Sequence, residues 1–257
     1  MLDIQNKNAV CTITLSRAEV HNAINPTLIE KLKEAFINAE KNDDIRIIVL
    51  KGAGKNFCAG ADLEHMKSIA KASEQENKQD ALTLASLFET IYKSRKPTIA
   101  VVQGAAFGGG VGLACACDFV IGNEDSQFCL SEVKLGLVPG VISPHVIRAI
   151  GLKQAKALTI SARRVSGLEA FQLGFITNYC DDKTSLDESL DQLIGFILKG
   201  SPRAQDQAKD LLEGSQNFKD GSQEQTDFCA NHIAKARSSD YGQKGLDAFL
   251  NKKSPDW

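Results

Sequence analysis

Twice in the first half of the chain, a short apolar, β-branched run breaks into a glycine-containing turn that leads to a helical pattern. The first is IRIIVL at 45–50, followed by KGAGKNFCAGAD with Cys58-Ala59-Gly60-Ala61-Asp62 at its end. The second is TIAVV at 98–102, followed by GAAFGGG from Gly104 to Gly110. Glycine lets the backbone come close to a neighbour. A helix start leaves N–H groups unpaired, with a partial positive charge. Two such turns facing each other would form an anion site without a charged side chain. The same residues also fit plain tight turns, and spacing alone does not choose between the two. Neither turn is a phosphate loop of the Gly-Lys-Ser/Thr type, and neither is a G-x-G-x-x-G dinucleotide fingerprint with a later acid.

The rest of the pattern alternates strands and helices. AVCTITL at 9–15 alternates apolar and polar residues as a half-buried strand does. Asn25-Pro26 opens a helix whose apolar face is Leu28, Leu32, Ala35, Phe36 and Ala39. Ser73 and Glu76 form a capping-box pattern for a helix that presents Leu84, Leu87, Phe88 and Ile91 and ends at Lys96-Pro97. A strand is expected from Asp118 to Ile121. Ser143-Pro144 starts a helix that Gly151 is expected to stop. Ser166 and Glu169 repeat the capping box, Gly174 ends that helix, and FITNYC at 175–180 reads as a strand. From about residue 186 the pattern is helical, with a further start at Ser201-Pro202. This is an α/β chain with a strand-containing part over 1–200 and a helical part over 201–257.

Composition narrows the function classes. The 257 residues suit one large domain or one with a small appendage, and 43% hydrophobic residues point to a packed core. A net charge of −2 without acidic or basic blocks argues against a coat for nucleic acid or an anionic membrane. Aromatic residues make up 6%, with no basic cluster interleaved to give a base-stacking platform. The first residues lack a charged segment followed by an apolar one, and no apolar run is long enough to span a bilayer, so a cytoplasmic protein is expected. The seven cysteines sit mostly inside apolar segments, as buried thiols of a reducing compartment do, and show no zinc spacing. No metal site is expected.

One carboxylate stands out. Glu132, in FCLSEVKLGLVPG, lies among apolar residues, where desolvation would raise its pKa and suit it to move protons. On the local sequence alone, a surface glutamate beside Lys134 is the better reading. Ser131 has no paired histidine at a recognisable place, and G-x-S-x-G is absent. His21 and His145 read as structural, and Asp62 as support for a helix start.

FCAGADLEHM, VVQGAAFGGGVGLACACDFVIG and FCLSEVKLGLVPG, in this order, resemble the crotonase (enoyl-CoA hydratase/isomerase) family. HNAINPTLIEKL, SARRVSGLEAFQLGFI and GLDAFLNKK extend the resemblance over nearly the whole chain. It implies a crotonase-like spiral of ββα turns with a C-terminal helical part used in trimerisation, as a homotrimer or a dimer of trimers. It implies an acyl-CoA substrate, with coenzyme A part of the substrate and no separate cofactor. The oxyanion donors would be the N–H groups of Ala61 and Gly109. Glu132 would be the acid/base, and the Gly140 N–H would help hold water. The second acid of the family's hydratases falls on Gly112 here. Substrate contacts would come from Ala23, Ala59, Gly60, Asp62, Leu63, Gly112, Phe249 and Lys252.

A hydratase and a 3,2-enoyl-CoA isomerase using Glu132 alone both stay open, as does thioester hydrolysis. The intact Glu132 and the charge balance argue against a noncatalytic module binding RNA or CoA. LVPGVISPHVIRAI with GGGVGL and VHNA resembles bacterial methylglutaconyl-CoA hydratases. That implies a branched or carboxylated enoyl-CoA, with Gly112 leaving room for a bulkier acyl group.

Overall fold

A computed structural model describes residues 1–180 and 183–257 of the chain. They fall into two compact units, Met1–Ser94 with Thr98–Gln192, and Arg95–Pro97 with Leu193–Trp257. Among the described residues, no helix is long and apolar enough to cross a membrane.

The first unit opens with β1 (Leu2–Lys7) and β2 (Val10–Leu15), an antiparallel pair turned at Asn8 and Ala9, both at positive φ. Helix α1 (Pro26–Lys41) follows. Asn25 caps it by accepting from the Leu28 N–H at 2.9 Å, and Pro26 fills the first helical position. Then come β3 (Ile47–Gly52), α2 (Leu63–Ile69), α3 (Glu74–Tyr92), β4 (Thr98–Val102), β5 (Ala105–Phe107) and α4 (Gly109–Ala116). The series continues with β6 (Phe119–Asn123), β7 (Gln127–Cys129), α5 (Ser143–Ser161), β8 (Val165–Ser166), α6 (Gly167–Leu173) and β9 (Asn178–Cys180). Helix α7 (Lys183–Leu198) leads out of this unit.

Two sheets run through these elements. The larger has the order β1-β2-β3-β4-β6-β9 and is parallel from β2 onward; the smaller has the order β5-β7-β8. Each turn of chain lays one strand in the large sheet and one short strand in the small sheet, then a helix. β4, β5 and α4 form one such turn, and β6, β7 and α5 the next. The turn after β3 has a single bridge, Cys58 to Ala106, in place of the short strand. Successive turns therefore hydrogen-bond to each other along both sheets, giving a spiral of ββα turns. Strand β4 is buried at every residue, as a continuous apolar run in a parallel sheet demands.

One local expectation holds and one changes on folding. Gly151, at φ 73 and ψ 157, stops the helix that Ser143 begins, and a second helical stretch runs from there to Ser161 with Ala155 and Leu158 buried in the core; α5 denotes the two together. The Ser73/Glu76 capping box forms in full. At Ser166 only half forms: its side chain accepts from the Glu169 N–H, but the Glu169 carboxylate pairs with Arg163.

The second unit holds α8 (Pro202–Ser215), α9 (Gln223–Ser238) and α10 (Asp240–Leu250), capped by Ser201, Ser222 and Ser239. Phe218 and Phe228 pack against each other at 5.2 Å, and the Trp257 indole N–H donates to the Lys199 carbonyl at 2.9 Å.

Leu28, on α1, is fully enclosed. Leu28→Ala is expected to destabilise the protein by about 2–5 kcal/mol, read as a lower denaturation midpoint in urea.

Candidate active site

The two glycine-rich turns meet. The Cys58 N–H donates to the Ala105 carbonyl and the Phe107 N–H to the Cys58 carbonyl, both at 3.0 Å. This contact is so close that a Cβ on Gly110 would stand 2.2 Å from the Cys58 oxygen. Gly60, at φ +100, runs beside the second turn, with the Gly109 nitrogen 4.0 Å from where its own Cβ would be. Ala61 follows Gly60 and forms a parallel bridge with Ile24. That bridge engages the Gly60 carbonyl and the Asp62 N–H, leaving the Ala61 N–H on the other side. Among the described residues, neither the Ala61 nor the Gly109 N–H has a hydrogen-bond acceptor. Gly109 is also the first residue of α4, so its N–H carries the positive end of that helix.

A clamp on the N-terminal side holds the first turn. Arg17 donates to the Ala23 carbonyl at 2.5 Å and to Asp62 at 2.7 Å. Asp62 also accepts from the Glu64 and His65 N–H groups as the cap of α2. The Arg17 hydrogen bond, with the help of these N–H groups, holds the Asp62 carboxyl below the usual range. Asn22, fully buried at φ 55, donates to the Ala53 and Asn56 carbonyls and accepts from the Arg17 N–H.

Glu132 begins a short 3-10 turn, Glu132–Leu135. Its Oε1 lies 3.1 Å from where a Cβ on Gly108 would be, so the carboxylate sits against the second turn. Its Oε2 is buried and, among the described residues, has no hydrogen-bond partner. Burial raises the Glu132 pKa above the ordinary carboxylate value. A carboxylate in this state retains basicity that full hydration would remove.

A cleft of about 260 Å³ brings these groups together. Ala59, Gly60, Ala61, Gly109, Glu132 and Gly140 line it, along with apolar groups such as Ile24, Leu84 and Ile142. A cavity of about 630 Å³ in the second unit and one of about 830 Å³ beside Lys55 and Arg164 are larger. Neither is lined by Ala61, Gly109 or Glu132, so chemistry rather than volume selects the smaller cleft.

Other candidate residues lie outside the cleft lining or are already engaged. Ala23 is buried, its carbonyl held by Arg17. Asp62 is a helix cap and ion-pair partner. Leu63 is exposed. The Gly140 N–H already donates to the Val138 carbonyl at 2.8 Å, so the expected water donor is occupied. The room expected at Gly112 is filled: a Cβ there would stand 2.4 Å from an Ile142 methyl and 2.8 Å from the Phe88 ring. Phe249 and Lys252 belong to the second unit, and both are exposed.

Sequence reasoning missed Arg17 and the pair His65 and Asp80, which are 2.9 Å apart on the cleft wall. The signal for His65 was its place in the first turn after Asp62; only the folded chain brings Asp80, on α3, within 2.9 Å of it. His145 is enclosed between Phe88 and Tyr92, and burial, with help from Arg148, lowers its pKa, as suits a neutral structural ring. Burial pushes the Cys58 thiol up to about 12, so no thiolate nucleophile arises at this turn.

The sequence profile described as enoyl-CoA hydratase/isomerase matches residues 5–257. The solved structure of an enoyl-CoA hydratase from Shewanella pealeana superposes with a TM-score of 0.95 at 39% identity, covering 100% of this chain and 95% of that one. The 2,3-dehydroadipyl-CoA hydratase of Escherichia coli is 30% identical over 100% of this chain and 98% of its own. The peroxisomal Δ(3,5)-Δ(2,4)-dienoyl-CoA isomerase of Arabidopsis thaliana is 31% identical over 99% and 95%. Paired unclaimed N–H groups beside a desolvated carboxylate, on a spiral of ββα turns, agree with these likenesses: the chain belongs to the enoyl-CoA hydratase/isomerase (crotonase) family.

Proposed function

We propose that the protein adds water to a 2-enoyl-CoA with a branched or carboxylated acyl chain, of the methylglutaconyl-CoA kind. The observation that carries this reading is the buried Oε2 of Glu132, without a hydrogen-bond partner among the described residues, in the same cleft as the Ala61 and Gly109 N–H groups. The thioester carbonyl oxygen accepts from those two N–H groups. Glu132 takes a proton from water, and the oxygen adds to Cβ. The π electrons move onto the thioester oxygen as an enolate. Glu132 then returns the proton to Cα and the carbonyl re-forms, so the net change is one water added. Fixed backbone donors suit this charge because they need no reorientation as it develops, and each such donor is typically worth about 3 kcal/mol.

Coenzyme A enters as part of the substrate, with backbone around Ala23 and from Ala59 to Ala61 along its path. Exposed Phe249 and Leu250, at 77% and 76%, support association of the helical part into a trimer.

Two observations favour a second reading, 3,2-enoyl-CoA isomerisation. Gly112 supplies no second carboxylate, and the Gly140 N–H is engaged. Moving a proton between carbons needs one base and no bound water. The enoyl-thioester absorbance separates the two. Its loss with 3-methylglutaconyl-CoA or crotonyl-CoA supports hydration, whereas no loss, with a gain from a 3-enoyl-CoA, makes the protein an isomerase.

Glu132→Gln is expected to fold normally and to lower kcat by about 10²–10⁴-fold; a rate equal to wild type would refute the single-carboxylate mechanism. Because burial favours the neutral form of Glu132, kcat/KM should fall as pH drops through a midpoint above the ordinary glutamate value, and the variant should lack that limb. Restoring an acid by Gly112→Glu is expected to lower Tm without raising hydratase activity, since Ile142 and Phe88 occupy the space. A thermal melt and a crotonyl-CoA assay check both parts.

A further inference from the structure

The cleft has two polar poles, and the reaction above uses only one. Ser131 and Glu132 form the first, beside Gly108. His65 and Asp80 form the second, among apolar neighbours that include Met66 and Leu84. His65 Nε2 and an Asp80 oxygen are 2.9 Å apart, and the side chains are 18% and 30% exposed. A carboxylate can only accept, so Nε2 carries the hydrogen of this bond. That leaves Nδ1 aside, and among the described residues it has no partner.

The helices fix where this pole stands. Asp62 caps α2 directly after Ala61, so His65 is in the first turn past an oxyanion donor. Asp80, Leu84 and Phe88 succeed one another at four-residue steps on one face of α3. Phe88 closes the floor at Gly112, and Asp80 lies about 12 Å from it along the helix, at about 1.5 Å per residue. The pair therefore belongs to the wall along which an acyl chain rooted at Ala61 and Gly109 would run, not to the floor. An apolar tail packed on Nδ1 would displace the water able to pair with it, at the cost of an unmade hydrogen bond. A carboxyl group satisfies it in either state: a neutral ring accepts from the acid, and an imidazolium donates to the carboxylate.

We propose that His65, oriented by Asp80, is a specificity-determining residue whose Nδ1 receives a carboxyl group at the far end of the acyl chain, so that the preferred substrates are CoA monothioesters of dicarboxylic acids. This rests on the enoyl-CoA reading of the cleft.

Saturated thioesters test it without turnover. Titration calorimetry on the full chain would compare glutaryl-CoA with pentanoyl-CoA, for wild type, His65→Leu and His65→Gln. Wild type should prefer glutaryl-CoA by about ten- to a hundredfold, the worth of a hydrogen bond to a charged group. His65→Leu should abolish the preference, and His65→Gln, which keeps a donor and an acceptor, should retain part of it. Equal affinities in wild type, a preference untouched in His65→Leu, or equal losses for both thioesters would overturn the proposal while leaving the acyl-CoA site standing. Binding of neither thioester by wild type would sink the acyl-CoA reading itself, and the proposal with it.

Discussion

The close contact between Cys58 and the turn at Ala106–Gly110 is the constraint on which the site depends. Two peptide hydrogen bonds at 3.0 Å join the turns, and the backbone at Gly110 comes too close to the Cys58 carbonyl for any side chain. This is the third dimension of the spiral. Successive ββα turns pair in the large sheet, and the same pairing continues through the short second strands and the single Cys58 bridge. The N–H groups of Ala61 and Gly109 come from different turns of the spiral, so their separation is set by sheet registry rather than by loop flexibility. Backbone donors held in this way meet the demand for preorganisation with no charged side chain.

Around that centre the groups divide into those that hold and those that act. Arg17, Asn22 and Asp62 hold: each makes hydrogen bonds within the protein, and together they fasten the 17–23 turn to the loop at 53–56 and to the start of α2. Glu132 is the opposite case. One of its oxygens is buried and, among the described residues, has no protein partner, which leaves it available to water or substrate.

Much of this was legible before folding. The apolar faces of α1 and α3, the caps at Asn25 and Ser73 and the buried run of β4 follow from periodicity and local hydrogen-bonding chemistry. The two glycine-rich turns announced a backbone-lined site but not their mutual contact, which depends on pairing across some fifty residues. Gly151 stops its helix as expected, but not the helical run: a second stretch follows because Ala155 and Leu158 have core to bury. Glu169 misled because a nearby arginine competes for the carboxylate that a capping box requires. Gly112 was the deeper error. A missing side chain reads as space in a sequence, but interiors are close-packed, and neighbours from α3 and from the residue before α5 filled the volume.

That filling has an evolutionary consequence. Positions 88, 112 and 142 share one small volume, so their residues are not independent choices. An acid at 112 is compatible only with smaller groups at 88 and 142, and the large Phe88 and Ile142 are compatible only with glycine. Moving between the two arrangements requires passing through an overpacked or a hollow intermediate, each of them destabilised. The number of carboxylates here is therefore coupled to packing: with Phe88 and Ile142 in place, an acid at 112 comes at a cost in stability.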